Sequence, residues 1–355
     1  MKVLTVVGAR PQFIKAAPVS RALHEAGITE FLVHTGQHYD YGMSQRFFDE
    51  LDLPEVDINL GIGSGGHAAQ TGEMLTRIEE QLLAQKPDVV LVYGDTNSTL
   101  AGALAAAKLN LKLAHVEAGL RSFNKEMPEE INRVLTDHCA DLLLCPTQTA
   151  VDNLAKEGVV DGVYLVGDVM YDAMVQFMQK AEASSSILNI LGLETKGYLL
   201  ATIHRASNTA SRDKLTGMLT ALNQCGHKVI LPLHPRTRAA LEGFGILVDE
   251  FTNITVIDPV GYLDMLLLER SALAIVTDSG GIQKEAYWMH IPCVTMREET
   301  EWVETVHSGW NVLAGTDTQR ILEGIRGFES ARMDLPRAAF APCAPRVVEL
   351  ILGNH

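Results

Sequence analysis

Cysteine is scarce in this chain of 355 residues: five in all, Cys139, Cys145, Cys225, Cys293 and Cys343. They are odd in number, widely scattered and without a Cys-x-x-Cys pair. This argues against a disulfide framework or a zinc knuckle and leaves them as core thiols. No apolar run approaches the roughly twenty residues of a membrane-spanning helix. The apolar start Met1–Val7 is short and lacks a small-residue cleavage site, so it reads as a first strand and the protein is expected in the cytoplasm. Basic residues are outnumbered, 29 Lys and Arg against 44 Asp and Glu, for a formal net charge of −15. Such a field repels polyphosphate chains and speaks against nucleic acid as a partner, while local cations and helix ends still allow a small anionic ligand.

What is present is a globular composition, 47% hydrophobic and 21% charged, in a chain long enough for two domains. Strands are expected at Val3–Val7, Phe31–His34, Val89–Tyr93, Leu111–Val116, Leu142–Cys145 and Val163–Val166. Helices are expected between them, near Phe13–Ala26, Gly66–Ala84, Ser98–Leu109, Glu129–His138 and Thr149–Lys156. A helical stretch over Gly167–Leu193 contains the most linker-like segment, Ala183–Ser186. The alternation then restarts, with strands near Tyr198–Thr202, Val229–Leu233, Ile254–Ile257, Leu273–Thr277 and Cys293–Met296. Helices follow near Asp213–Cys225, Ala239–Phe244, Leu263–Glu269 and Gly280–Met289. The pattern predicts an α/β protein of two doubly wound, Rossmann-like domains, 1–168 and 169–343, each with helices on both faces of a parallel sheet.

The chemistry-bearing residues gather where these strands end. Thr277-Asp-Ser-Gly-Gly-Ile-Gln-Lys-Glu285 joins a strand to a helix through two glycines. Gly280 and Gly281 let the backbone approach a ligand, and the first-turn N–H groups favour a phosphate. Ser279 adds a hydroxyl, and Glu285 is placed to accept from a ribose diol. An ordinary close-packed βα turn would show the same glycines. Gly8-Ala-Arg-Pro-Gln-Phe-Ile-Lys15 sets Arg10 in a tight βα turn, with the Lys15 charge free to reach back. It points to anion binding but lacks the G-x-G-x-x-G fingerprint. Asp95 follows a strand and taken alone reads as a helix N-cap. Glu117 ends the next strand, and Glu129 and Glu130 open a helix behind Pro128, where acids also suit the helix dipole. Converging carboxylates at sheet edges can divide into acid and base. His204, with Arg205, and His234 sit at matching strand ends and read as donors to a phosphorylated ligand, without metal-ligand spacing. Met296–Glu304 reads as a solvated, charged loop.

Taken together, Gly8-x-Arg-Pro, Gly94-Asp-Thr, His115-Val-Glu-Ala-Gly-Leu-Arg121, Pro128-Glu-Glu-x-Asn-Arg133, His204-Arg205, His234-Pro235 and Asp278-Ser-Gly-Gly-Ile-Gln-x-Glu285 occur in order across nearly the whole chain. This set resembles the non-hydrolysing UDP-N-acetylglucosamine 2-epimerases. The resemblance implies a glycosyltransferase-B-like architecture, two domains facing a cleft and a last helix, 344–353, packing back on the first. It implies reversible inversion at C2 of a UDP-2-acetamido sugar by anti elimination of UDP and re-addition, with no NAD, no metal and often a homodimer. Position by position it makes Asp95, Glu117 and Glu129 the catalytic carboxylates. Arg10, Lys15, Arg133, His204, Arg205, His234, Ser279, Gly280, Gly281 and Glu285 become UDP-sugar contacts, with Val260 and Met265 near the uracil. The chain departs from the family at three places. Ser207 stands where an acid is common, Trp302 where an arginine would help neutralise the diphosphate, and Ala69 near an arginine of the activator pocket of some relatives. The variants around Lys15 and Glu304 resemble a branch acting on UDP-2,3-diacetamido-2,3-dideoxyglucuronate. A UDP-sugar glycosyltransferase is the alternative from another class.

Overall fold

A computed structural model describes residues 1–37, 56–63, 65–331 and 341–353, with the side chains of Arg10 and of residues 329–331 outside that set. The chain divides into two compact units, Met1–Gln176 with Ala341–His355, and Phe177–Phe340.

The first unit is built on a seven-stranded sheet, and its strands are apolar along their length because helices cover both faces. All five residues of β4 (Val89–Tyr93) are buried. β1 (Lys2–Val7), β2 (Thr29–His34), β3 (Ile58–Asn59), β5 (Lys112–Val116), β6 (Leu142–Cys145) and β7 (Val163–Leu165) complete it in the order β3-β2-β1-β4-β5-β6-β7. Every pairing is parallel. Its helices are α1 (Arg10–Glu25), α2 (His67–Gln85), α3 (Asn97–Lys108), α4 (Pro128–Cys139) and α5 (Gln148–Lys156). The strand order reverses direction between β1 and β4, so the loops after them diverge and leave the crevice where open α/β sheets hold ligands.

The chain passes from the first unit to the second inside α6 (Val169–Ser184). The expected linker at Ala183–Ser186 is half helix, since Ser184 satisfies its hydroxyl by donating to the Lys180 carbonyl one turn back, at 2.7 Å. After α7 (Ile187–Ile190), the second sheet collects β8 (Leu199–Thr202), β9 (Val229–Pro232), β10 (Ile254–Ile257), β11 (Ala274–Thr277), β12 (Cys293–Thr295) and β13 (Asn311–Leu313). Their order is β10-β9-β8-β11-β12-β13, again parallel, with the reversal between β8 and β11. The helices are α8 (Ala206–Thr209), α9 (Arg212–Gln224), α10 (Pro235–Phe244), α11 (Tyr262–Ser271), α12 (Gly280–Trp288), α13 (Val303–His307) and α14 (Thr318–Ala331). A core of Leu199, Leu231, Val276 and Val294 from the strands packs against Leu215, Leu222 and Ile321 from α9 and α14.

The chain then returns to the first unit with α15 (Ala344–Ile351), which packs on α1. Its start is held by Asp172 on α6, whose carboxylate accepts from the Cys343 backbone N–H at 3.0 Å and the Cys343 thiol at 2.7 Å. All five cysteines are free thiols. Among the described residues no helix is long and apolar enough to cross a membrane.

Candidate functional site

In the first unit, the ends of β4 and β5 are latched side by side. Gly94 donates to the Val116 carbonyl at 3.0 Å, and its own carbonyl faces His115 Nε2 at 2.8 Å. A β-carbon on Gly94 would stand 3.4 Å from both Glu117 Oε2 and Lys15 Nζ, so the Lys15–Glu117 ion pair lies directly over this turn. Lys15 therefore reaches back, but onto a carboxylate and not as a free cation. It is spent on a carboxylate one strand away.

Asp95 follows Gly94 and does not cap α3; that position falls to Thr96, whose hydroxyl accepts from the Thr99 N–H at 3.3 Å. A threonine one residue closer to the helix has the shorter reach, which leaves the Asp95 carboxylate to pair with Arg133. The first turns of α4 hold that arrangement. Asn132 donates to the Asp95 carbonyl at 3.0 Å, and Arg133 Nη1 reaches Glu130 at 2.7 Å. Glu130 is buried and accepts from the N–H groups of Ser122 and Phe123. Burial pushes its pKa up, but these bonds and Arg133 carry the balance below the ordinary value. Glu129, its neighbour, is exposed. The structure thus brings Asp95, Glu117, Lys15 and Arg133 to one edge of the sheet, with Glu129 on the adjoining helix start. Arg10 begins α1, and its side chain lies outside the described set.

Behind this edge stands Asp137, fully buried, accepting from His115 Nδ1 at 2.7 Å, Arg121 at 2.7 Å and the Gly119 N–H at 3.1 Å. Burial opposes its charge, but His115 and Arg121 hold its carboxyl below the usual range. Glu117 itself takes a φ of 75°, a left-handed conformation unusual for a residue with a β-carbon.

In the second unit, the switch-point loops after β8 and β11 are tied together by Asp278. Its buried carboxylate accepts from the N–H groups of His204 and Arg205 at 3.0 and 2.9 Å, from Asn208 at 3.1 Å, and from His204 Nδ1 at 3.0 Å. Burial raises its pKa less than His204 and these donors lower it. The Nδ1 bond leaves Nε2 as the His204 nitrogen available to a ligand. The His234 ring lies 5.5 Å from that of His204 and caps α10, accepting from the Arg236 N–H at 3.1 Å. Partial burial, His204 and Arg236 hold the His234 pKa below its ordinary value.

Ser279 is the N-cap of α12, its hydroxyl accepting from Ile282 N–H at 3.5 Å. The N–H groups of Gly280 and Gly281 precede the first intrahelical bond and face outward from the helix start. Further along α12, Glu285 is buried and accepts from the Tyr262 hydroxyl at 2.8 Å. Tyr262 opens α11, and Val260 and Met265, both half-buried, flank it in the chain.

The segment 296–304 is solvated only in part, at Glu298 and Glu299. Trp302 is 6% exposed, Arg297 9%, and Glu301 accepts from Arg297 at 2.9 Å. A β-carbon on Gly280 would stand 2.7 Å from Glu301 Oε1 and 3.4 Å from Trp302 Nε1, so glycine is required where this segment crosses the start of α12. Burial pushes the Glu301 pKa up, yet Arg297 and Arg205 hold it low. A run of five charges in nine residues looks exposed in one dimension; here Arg297 and Glu301 pair with each other and Trp302 supplies buried surface, while Glu298 and Glu299 stay exposed. Asp137 and Tyr262 are site-supporting residues that residue type alone did not single out, because their partners lie 16 to 23 residues away in the chain.

The family profile described as UDP-N-acetylglucosamine 2-epimerase matches residues 21–342. The chain is 54% identical over 334 residues to a UDP-N-acetylglucosamine 2-epimerase homolog of Methanococcus maripaludis, covering 93% of each. It is 52% identical over 335 residues to the UDP-2,3-diacetamido-2,3-dideoxy-D-glucuronate 2-epimerase of Pseudomonas aeruginosa, covering 92% of each. Among solved structures it resembles the Methanocaldococcus jannaschii UDP-GlcNAc 2-epimerase in complex with UDP-GlcNAc and UDP. That match has 40% identity and a TM-score of 0.89, covering 99% of this chain and 100% of the other.

Proposed function

The chain belongs to the UDP-N-acetylglucosamine 2-epimerase family, and from that premise we propose that it interconverts UDP-N-acetylglucosamine and UDP-N-acetylmannosamine. It is an isomerase, and the chemistry asked of it is difficult. The C2 hydrogen of the sugar is not α to a carbonyl and is barely acidic. A base takes that proton while the C1–oxygen bond to UDP breaks anti to it. The electron pair becomes the C1–C2 double bond of a 2-acetamidoglucal. UDP then adds back to C1, and a proton is delivered to the opposite face of C2. The observation that carries this reading is the pair of carboxylates Asp95 and Glu117 on adjacent strand ends, each with its own cation, Arg133 and Lys15. We assign acid–base work to Asp95, Glu117 and Glu129. Arg10, Arg133, His204, Arg205, His234, Ser279, Gly280, Gly281 and Glu285 hold the nucleotide sugar, with Val260 and Met265 against the uracil. Leaving-group charge is met by the N–H groups at the start of α12.

A second reading, the diacetamido uronate as substrate, is favoured by the 52% identity to the Pseudomonas enzyme. Incubation in deuterium oxide with each sugar nucleotide, without acceptor, tests both. Deuterium at C2 and a mixture of epimers are expected from the true substrate; no label in either abandons the elimination mechanism. We further place the protein in the cytoplasm, supplying sugar nucleotide for surface polysaccharide, as a homodimer. Ile131 and Leu135, one helical turn apart on α4 and both exposed, support the last point. Light scattering at micromolar concentration checks it, with a monomer mass as the refuting result.

A further inference from the structure

We propose that Trp302 is a ligand-binding residue, donating its indole N–H to the diphosphate of the bound nucleotide at the start of α12. This rests on the nucleotide-sugar reading above and adds to it a donor specific to this chain. The indole N–H has no acceptor among the described residues, although Trp302 is 6% exposed. Its nitrogen lies 3.4 Å from the point where a β-carbon on Gly280 would stand, beside the open N–H groups of Gly280 and Gly281. An indole nitrogen beside a helix N-terminus fits an anion that the helix dipole also favours.

The position of Lys284 explains how a neutral ring serves where a cation is otherwise expected. The Lys284 ammonium, itself 5% exposed, sits 3.8 Å from the centre of the Trp302 ring, with the Trp288 ring 5.5 Å away on α12. A cation over the face of an indole withdraws charge from the ring and makes its N–H a stronger donor. The charge thus reaches the phosphate through the tryptophan rather than from a flexible arginine. Glu301 Oε1, 2.7 Å from the same Gly280 point, is the competing anion, held by Arg297 at 2.9 Å with Arg205 at 3.8 Å.

The test compares UDP with uridine, by calorimetry for the first and NMR titration for the second. Trp302→Phe keeps the ring and removes the N–H; UDP affinity is expected to fall roughly 10- to 100-fold, the range for one hydrogen bond to a charged group, with uridine affinity unchanged. Lys284→Met is expected to weaken UDP and spare uridine in the same way. In the unmodified protein, the Trp302 indole resonance, one of three and assigned by elimination from Trp288→Phe and Trp310→Phe, is expected to shift with UDP and not with uridine. Equal loss of both ligands, undiminished UDP affinity in Trp302→Phe, or an indole resonance unmoved by UDP overturns the proposal. Failure of the unmodified protein to bind UDP removes the functional reading along with it, whereas UDP binding untouched by Trp302→Phe removes this inference alone.

Discussion

Glu117 stands in a left-handed backbone conformation, φ 75°, and its carboxylate is paired with Lys15 over the Gly94 turn. A β-carbon at such a φ costs about 1 kcal/mol that glycine would not incur, and strain of this kind persists where function holds the residue in place. Glu117→Gly is therefore expected to be about 1 kcal/mol more stable than Glu117→Ala by urea denaturation, with both variants inactive. Equal stability would show that the turn carries no strain. Asp95→Asn preserves shape and removes only the carboxylate charge beside Arg133. Turnover is expected to fall about 10²- to 10⁴-fold, the usual contribution of a positioned acid or base, with UDP affinity retained. Loss of UDP binding instead would move Asp95 to the nucleotide site. The residue types and their place at strand ends were legible in the chain itself. That Asp95 pairs with Arg133 instead of capping α3, and that Lys15 is already paired, depends on partners 38 and 102 residues away.

Among the elements, the long buried strands and the helices between them follow from hydrophobic period, since an apolar run flanked by glycine turns has few other uses. β3 and β13, of two and three residues, are too short to show a period. The segment 296–304 differs from a solvated loop because Trp302 and the Arg297–Glu301 pair are drawn inward, while Glu298 and Glu299 stay exposed. α11 carries a related feature. Glu269 is fully buried, neither of its oxygens has a hydrogen-bond partner among the described residues, and burial with Glu285 nearby pushes its pKa well up. An acid held in this way binds its proton more tightly folded than unfolded. Its contribution to stability is complete below the unfolded pKa of about 4.3 and is lost as pH rises towards the folded value. Glu269→Gln is accordingly expected to melt higher than the parent at pH 8, with the difference closing towards pH 4, in a calorimetric pH series. A constant difference across that range would contradict a neutral Glu269. Asp137 behaves in the opposite sense. Its depressed pKa supplies stability above about pH 4 that is lost on acidification, and Asp137→Asn should flatten the acid limb of the same series.

At the scale of the whole molecule, the chain finishes in the unit where it began. α15 buries Val347, Leu350 and Ile351 in the first unit, and Asp172 caps its start through Cys343. Deleting residues 341–355 is expected to strip hydrogen-exchange protection from α1 and β6, which α15 packs against, while β8 to β12 keep theirs. Uniform loss across both units would mean that the two do not behave as separate compact bodies. The sequence by itself determined the α/β class, the two alternating halves, and the strand ends where carboxylates, histidines and the glycine turn gather. These are set by local period and turn chemistry, which neighbouring residues carry among themselves. Only the tertiary structure decided which charges are spent on one another, that Asp278 binds the two switch loops, and that Trp302 lies buried with its N–H against the start of α12. Those outcomes depend on distances between residues remote in the chain, and the free energy of a buried charge or donor is decided by the partner it meets there.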